Sequence, residues 1–265
     1  MTPLQALTLG VVQGLTEFLP ISSSGHLILV PVLLGWRDQG LAFDAAVHLG
    51  TALALVLYFA RDLWRLGIGA AAGRSAERRL AAALVVGSMP AAVAGFLLER
   101  LVVVHLRSAT VVGLSLIGWG LVLAWADRQA ARARVGDLGQ VGLARSLVIG
   151  CAQAIALVPG TSRSGITISA ALFAGLDRPT AARFAFLLGL PVTAGAGLYE
   201  TAVLLSSGLP AADGAALMLG LLASLAAGLA AVWFLIHYLG RGTFTPFVLY
   251  RLALGLVILA AGPTP

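Results

Sequence analysis

Residues 13–26 of the chain read QGLTEFLPISSSGH, and 140 positions later residues 153–165 read QAIALVPGTSRSG. The ionisable residues do not repeat, because Glu17 and His26 occur in the first copy and Arg163 in the second. If the copies meet in the fold, they bring together groups that bind an anion such as phosphate. Glycines and polar residues align without a gap: Gly10 with Gly150, Gln13 with Gln153, Ser22 with Ser162, Ser24 with Ser164 and Gly25 with Gly165.

The composition is that of a membrane protein. Of 265 residues, 59% are hydrophobic and 11% are charged, and the mean hydropathy is +0.97. Soluble domains carry roughly 25% charged residues, so these values predict one integral membrane domain with several spans. All 17 basic residues are arginines, mostly in short connections, so we attribute the net charge of +6 to membrane topology and expect no nucleic-acid partner. The single cysteine, Cys151, excludes an internal disulfide and a thiolate metal cluster.

The apolar runs predict an all-α polytopic membrane protein with about six transmembrane helices. The motif segments are too short for spans, because arms of roughly 10–16 residues reach only about 15–24 Å of a hydrocarbon core about 30 Å thick. We therefore predict two re-entrant helical hairpins, the first with arms 3–18 and 26–35 and the second over 147–175. The six spans are expected near residues 45–60, 81–98, 109–126, 182–205, 215–236 and 244–262.

Arginine positions orient these elements. The connections 61–80 and 127–145 are rich in arginine and are predicted to be cytoplasmic. By parity, the first hairpin then enters from the outside, the second enters from the inside, and both termini lie outside. This is an inverted-topology repeat, which places its site near the membrane midplane. We expect the first repeat over about residues 1–126 and the second over about 145–265 of a single domain.

Glu17 points most directly to function, because a carboxylate buried in an apolar helix is costly without a partner. Alternatively, Glu17 has a purely structural role, in an ion pair or in a hydrogen bond between packed helices. Gln13 lies one turn earlier on the same helical face. Arg163 offers a planar fork that fits phosphate, or alternatively reaches towards an interface. His26 can activate a hydroxyl or transfer a proton near neutral pH.

The serine turn next to His26 has two interpretations. Its hydroxyls and amides, from Ser22, Ser23, Ser24 and Gly25, can hold an anion where a helix begins, or they cap the helix. Outside the motifs, His48 is either a support for the site or a packing histidine. Arg251 lies inside the last predicted span and needs a partner, for which we consider Glu200 or a lipid phosphate.

These segments closely resemble the bacterial undecaprenyl-diphosphate phosphatases of the BacA type. That family carries Glu or Gln, three residues, Glu, and then a serine-rich turn ending in Gly-His, which Gln13, Glu17 and Ser22 to His26 match. Its second motif, Pro-Gly-x-Ser-Arg-Ser-Gly-x-Thr, is matched by Pro159 to Thr167. The segments Asp44 to Thr51 and Tyr250-Arg251 also look like the family, so the resemblance covers the whole chain.

The resemblance implies that the chain removes the terminal phosphate of undecaprenyl diphosphate, a polyprenyl diphosphate lipid, and leaves the carrier lipid of cell-wall synthesis. It implies a bacterial plasma-membrane site open to the outer face, with Glu17, Ser23, His26 and Arg163 as catalytic residues. Ser23 would be the nucleophile or a phosphate contact, and direct attack by water remains the alternative. The phosphate-binding residues implied are Ser22, Ser24, Gly25, Ser162, Ser164, Gly165 and Thr167, with His48 and Arg251 behind them.

The resemblance also implies a divalent cation, Mg²⁺ or Ca²⁺. Some family members have two glutamates where this chain has neutral Gln13 and Glu17. One carboxylate does not support a protein-only metal site, so we expect the ion to be bridged through substrate phosphates.

Two other interpretations compete with the phosphatase. A secondary transporter or flippase of an anionic lipid or solute would also show inverted repeats, broken helices and a midplane arginine. Phosphate release in detergent, where no gradient exists, separates the two. The type 2 phosphatidic acid phosphatases need a histidine after their Ser-Arg pair, and residues 164–176 contain none. A homodimer is a further expectation that the sequence leaves open.

Overall fold

The computed structural model describes residues 1–106, 108–207 and 214–261, and within them the chain is all-helical, as predicted. Apolar runs with few breaks and no alternating pattern favour helices that satisfy their own backbone in lipid. The helices are α1 Pro3–Phe18, α2 Ser23–Leu33, α3 Gly40–Tyr58, α4 Ala60–Ala71, α5 Ser75–His105, α6 Ala109–Gln129, α7 Leu143–Ala154, α8 Arg163–Phe173, α9 Arg178–Ser207, α10 Gly214–Leu239 and α11 Thr245–Ala260.

Each expected span falls on a helix, although the six differ in length. Four segments are long and apolar enough to cross a membrane, namely Ser75–Leu98, Ala109–Arg132, Arg178–Tyr199 and Gly214–Leu239. A fifth crossing is possible if α3 and α4, bent by 67° at Phe59, count as one broken span. The last expected span is α11, which has only 16 residues. The protein is therefore a multi-pass membrane protein.

The connection predicted over residues 61–80 is itself largely helical. Amphipathic α4 carries Arg61, Asp62 and Arg65, and its charges explain why it turns away from the axis of apolar α3. Asp62 forms a salt bridge with Arg183 near the start of α9. Asp127 joins the same end of the bundle, because its carboxylate accepts hydrogen bonds from Arg178 at 2.5 Å and from the backbone N–H of Phe244 at 3.1 Å.

Both motif segments form broken helical pairs. Helix α1 spans the predicted arm 3–18, and α2 begins at Ser23, three residues earlier than predicted. The second pair consists of α7, a single 3-10 turn over Ile155–Leu157, and α8. The helical structure is interrupted between α1 and α2, at Pro20, and between the 3-10 turn and α8, at Pro159-Gly160.

Close glycine contacts fix each hairpin against a distant helix. Helix α1 packs most extensively on α10, where Gly10 meets Gly220, and α7 packs most extensively on α5, where Gly150 meets Gly87. A Cβ at Gly10 or Gly150 would collide with the carbonyl oxygen of the facing glycine. The two aligned glycines thus make the same kind of contact with the other half of the chain, which agrees with a repeat. The repeat limits and the single domain stay predictions.

Candidate active site

The two hairpin breaks have the same backbone geometry. Ser22 and Ser162, which align in the sequence, have φ values of 74° and 69°. Positive φ is uncommon and costly for a residue with a side chain, and it concentrates at functional sites. Each serine pairs with the serine two positions later, since the hydroxyl oxygens of Ser22 and Ser24 lie 3.3 Å apart and those of Ser162 and Ser164 lie 3.2 Å apart.

Glu17 connects the two copies. Its Oε2 accepts hydrogen bonds from the Ser23 hydroxyl at 2.6 Å and from Gln13 Nε2 at 3.1 Å. Its Oε1 accepts a hydrogen bond from Arg163 and forms a salt bridge with it. The Glu17 residue is 8% exposed, and Phe18 next to it packs edge-on against Phe186. The charged partner and the two neutral donors compensate the cost of burying the Glu17 carboxylate.

Arg163 begins α8 and is held from two sides. One terminal nitrogen donates to Glu17, and the other donates to the hydroxyl of Thr193 and to the carbonyl oxygen of Gly189 at 3.3 Å. Both of these partners belong to α9, beside Pro191 inside that helix. The guanidinium therefore has a fixed orientation before any ligand arrives.

A cavity of about 230 Å³ opens at this cluster. Helices α5 and α9 complete its wall with residues near their middle, among them Ala91, Val192 and Ala196. A carboxylate, a guanidinium and hydroxyls therefore share a wall with apolar helix surfaces. Among the predicted site residues, the lining includes Glu17, Ser22, Ser23, Ser24, His48, Ser162 and Arg163.

His26 is oriented towards α11. Its Nδ1 donates to the carbonyl oxygen of Ser22 at 2.7 Å, which leaves Nε2 to accept from the Tyr250 hydroxyl at 2.6 Å. The two rings also stack, with centroids 5.6 Å apart. His26 does not belong to the described lining of the cavity, so it supports the turn in this arrangement. Its catalytic role stays a prediction, and it would require His26 to replace one of these hydrogen bonds by one to the substrate or to water.

Arg251 is fully buried, and its partners among the described residues are backbone carbonyl groups. Its guanidinium donates to the carbonyl oxygen of Pro20 in the first break, of Gly160 and Thr161 in the second, and of Ser115 and Leu116 in α6. The Glu200 side chain, considered above as its partner, lies outside the described residues. Carbonyl groups that follow the C-terminal ends of helices carry partial negative charge, which suits a buried cation.

The remaining predicted residues hold the breaks together. Ser164 donates to the carbonyl oxygen of Leu19 at 3.2 Å, which links the hairpins. Gly165 donates its N–H to the Ser162 hydroxyl, and Thr167 donates to the carbonyl oxygen of Arg163 at 2.7 Å. Gly25 is buried at the start of α2.

His48 lies in the cavity wall, and its Nδ1 bonds to the carbonyl oxygen of Asp44 at 2.7 Å. Three further residues contribute to the site, although the sequence pattern gave them no role. Thr193 and Tyr250 are hydrogen-bond partners of Arg163 and His26, and Gln153 lies in the cavity wall. The alignment of Gln153 with Gln13 was the one signal in the sequence that could have assigned it to the site.

The donor set limits how a metal ion could bind. Among the described residues, no three acidic, histidine or cysteine side chains group to hold one. Gln13 Oε1 is buried without a hydrogen-bond partner, and Glu17 is the single carboxylate beside it. An amide oxygen and one carboxylate suit Mg²⁺ or Ca²⁺ when phosphate oxygens complete the coordination. Of the two, Glu17 lines the cavity and Gln13 does not, so the residues fit a cation that is bridged through substrate and reaches the protein at Glu17.

Known proteins match this chain over nearly its whole length. The family described as bacitracin resistance protein BacA matches residues 6–257. The undecaprenyl-diphosphatase of Hahella chejuensis (strain KCTC 2396) is 46% identical over 264 residues, which cover 98% of each chain. The undecaprenyl-diphosphatase of Thermomicrobium roseum (strain ATCC 27502 / DSM 5159 / P-2) is 46% identical over 269 residues, which cover 96% of each. The chain belongs to the BacA family.

Proposed function

We propose that this protein hydrolyses the terminal phosphoanhydride of undecaprenyl diphosphate to undecaprenyl phosphate and inorganic phosphate. The observation that carries the proposal is the Glu17 carboxylate, which holds the Ser23 hydroxyl on one oxygen and Arg163 on the other within one cavity. A base, a hydroxyl and a phosphate-binding cation are the groups that phosphoryl transfer requires. The family relationship and the names of both relatives support the same reaction.

The geometry supports a role for each of these groups. Glu17 accepts the proton of the attacking oxygen, because its Oε2 already accepts the Ser23 hydroxyl at 2.6 Å. If Ser23 attacks the terminal phosphorus, the bond to the bridging oxygen breaks, undecaprenyl phosphate leaves, and water then cleaves the phosphoserine. If water attacks directly, Ser23 positions it beside Glu17. In both routes Arg163 stabilises the charge that develops on the phosphate oxygens.

A direct assay tests the reaction. Purified protein in detergent should release phosphate from undecaprenyl diphosphate, and mass spectrometry should show the lipid monophosphate as the second product. A transporter or flippase does no chemistry and needs a membrane with two sides, so it would release nothing. Binding of the lipid without phosphate release would contradict the phosphatase.

The cavity is proposed to open to the outer face of the plasma membrane. Helix α5 begins in the arginine-rich connection 61–80, and α9 begins at Arg178, which binds Asp127 beside the connection 127–145. The residues they contribute to the wall, from Ala91 of α5 and from residues 192–197 of α9, lie beyond the centres of the spans Ser75–Leu98 and Arg178–Tyr199. The first hairpin would then enter from the outside and the second from the inside, with both termini outside. A homodimer stays a prediction.

Accessible cysteines should report this orientation. In a Cys151→Ser background, Arg37→Cys should react with an impermeant maleimide on intact cells, because Arg37 is exposed between α2 and α3. Ser75→Cys, equally exposed at the start of α5, should react only after the membrane is permeabilised. The reverse labelling pattern would place the cavity on the cytoplasmic face.

Removal of divalent cations should separate activity from stability. When bound, the cation neutralises charge on the phosphates, and the residues that would hold it are Glu17 and Gln13. Because we expect phosphate oxygens to supply most of its ligands, a chelator should stop phosphate release but leave the unfolding temperature of the substrate-free protein unchanged. Mg²⁺ or Ca²⁺ should restore activity. A large loss of stability on chelation would instead indicate a protein-held metal site.

A further inference from the structure

The cavity wall contains a glutamine whose hydrogen-bonding capacity is unused. Gln153 lies in the last turn of α7 and is 2% exposed. Within the described part of the chain, neither Nε2 nor Oε1 of its side chain has a hydrogen-bond partner. Buried amides are nearly always hydrogen-bonded, because losing water without a replacement is costly. A buried, unpaired donor and acceptor in the wall of a cavity therefore indicates a ligand.

The repeat shows why this amide lacks the partner that Gln13 has. In the first copy, Gln13 donates to Glu17, four positions later. In the second copy, the position that aligns with Glu17 is Leu157, whose side chain accepts no hydrogen bond. Gln153 therefore has the amide of the repeated pattern without the carboxylate. The partner that the chain supplies at Gln13 must come from the cavity contents at Gln153.

The position of Gln153 restricts what that partner is. Gln153 lines the same cavity as Glu17, Ser23 and Arg163. Anions in this cavity are drawn to Arg163, and an amide N–H is a good donor to a phosphate oxygen. Its neutrality matters, because a second cation would compete with Arg163 for Glu17. A neutral donor orients phosphate without disturbing that pair.

We propose that Gln153 binds substrate, with Nε2 donating to a non-bridging oxygen of the diphosphate that Arg163 also contacts. Its Oε1 accepts a hydrogen bond from water in the cavity. This inference rests on the proposed function, since it requires a diphosphate at this site. It assigns the second hairpin a neutral phosphate donor in addition to its arginine.

Two variants of Gln153 test the proposal. Gln153→Met keeps the size of the side chain and removes both polar atoms, and Gln153→Glu adds a charge that repels phosphate. For Gln153→Met we expect kcat/KM for undecaprenyl diphosphate to fall roughly 10- to 100-fold, mainly through KM, as for a lost hydrogen bond to a charged group. For Gln153→Glu we expect a still lower kcat/KM. Gln140→Met, the same substitution at an exposed position, should match the wild type.

Thermal unfolding separates binding from a structural role. Without ligand, Gln153→Met should unfold at or above the wild-type temperature, because an unsatisfied amide has been replaced by an apolar group. Pyrophosphate should raise the unfolding temperature of the wild type and of Gln140→Met more than that of Gln153→Met. The proposal is overturned by a wild-type KM in Gln153→Met, by an unchanged pyrophosphate effect in it, or by a wild type that pyrophosphate does not stabilise. A pyrophosphate effect that depends on Gln153, without phosphate release, would refute the proposed hydrolysis alone.

Discussion

Replacing Glu17 with glutamine should lower kcat for phosphate release by roughly 10²- to 10⁴-fold, the usual contribution of a positioned general base. Glutamine has the same shape and can still hydrogen-bond to Ser23 and Gln13, so the local packing is preserved. It cannot accept the proton that the Ser23 hydroxyl donates at 2.6 Å in the native protein. The measurement is kcat with undecaprenyl diphosphate at saturation, in detergent.

The same substitution should also reduce stability, and this effect has to be separated from catalysis. Glu17→Gln leaves Arg163 without its buried counter-charge, and breaking one partner of a buried pair is destabilising. The double variant Glu17→Gln/Arg163→Gln removes both charges and should unfold at a higher temperature than Glu17→Gln alone. Its activity should remain lost, because it has neither base nor guanidinium.

A matched control uses the same chemical change elsewhere. Glu77→Gln alters a partly exposed carboxylate near the start of α5, away from the cavity, and should keep wild-type kcat. If Glu17→Gln retained kcat within tenfold of the wild type, Glu17 would not be the base. If the double variant recovered activity together with stability, the loss in the single variant would be structural.

The sequence predicted the architecture of the protein better than it predicted the contacts between residues. Hydropathy and arginine spacing predicted an all-helical membrane protein, which the structure confirms. They did not predict α4, because they record how apolar a run is and not where it bends. The positive φ of Ser22 and Ser162 was also unpredictable, since serine adopts it only where tertiary contacts compensate the cost.

At the site, the pattern of the repeat carried more information than any single residue. Alignment of the two motifs predicted that Glu17 and Arg163 come together, and the structure places them in contact. The alignment could not reveal that each is the other's partner, nor that His26 turns towards Tyr250, 224 positions away in sequence. Such pairings depend on how distant helices pack, and no local pattern encodes them.

Arg251 shows the same limit most clearly. The sequence required a partner for a charge inside an apolar helix and suggested an acid or a lipid phosphate. The structure supplies carbonyl groups from both hairpin breaks and from α6. Arg251 therefore helps to hold the two breaks at a fixed distance from each other, together with the Ser164–Leu19 hydrogen bond.

Replacing Arg251 with methionine should lower the free energy of unfolding by about 3 kcal/mol or more and abolish phosphate release. The carbonyl groups of Pro20, Gly160 and Thr161 lie outside the helices, and Arg251 supplies their hydrogen bonds in the native protein. Without it, buried acceptors are left unsatisfied at both breaks, and the Ser23 and Arg163 ends of the cavity lose their relative position. Thermal unfolding and kcat measure the two effects.

Two further variants decide whether this role belongs to the guanidinium. Arg251→Lys keeps the charge but replaces a planar fork with a point donor, so it should fall between the wild type and Arg251→Met in both measurements. Arg241→Met, at an exposed position before α11, should change neither. Wild-type stability and activity in Arg251→Met would mean that the two breaks hold their geometry without it, through contacts such as that of Ser164 with Leu19. Loss of activity at full stability would instead mean that Arg251 acts on the substrate itself.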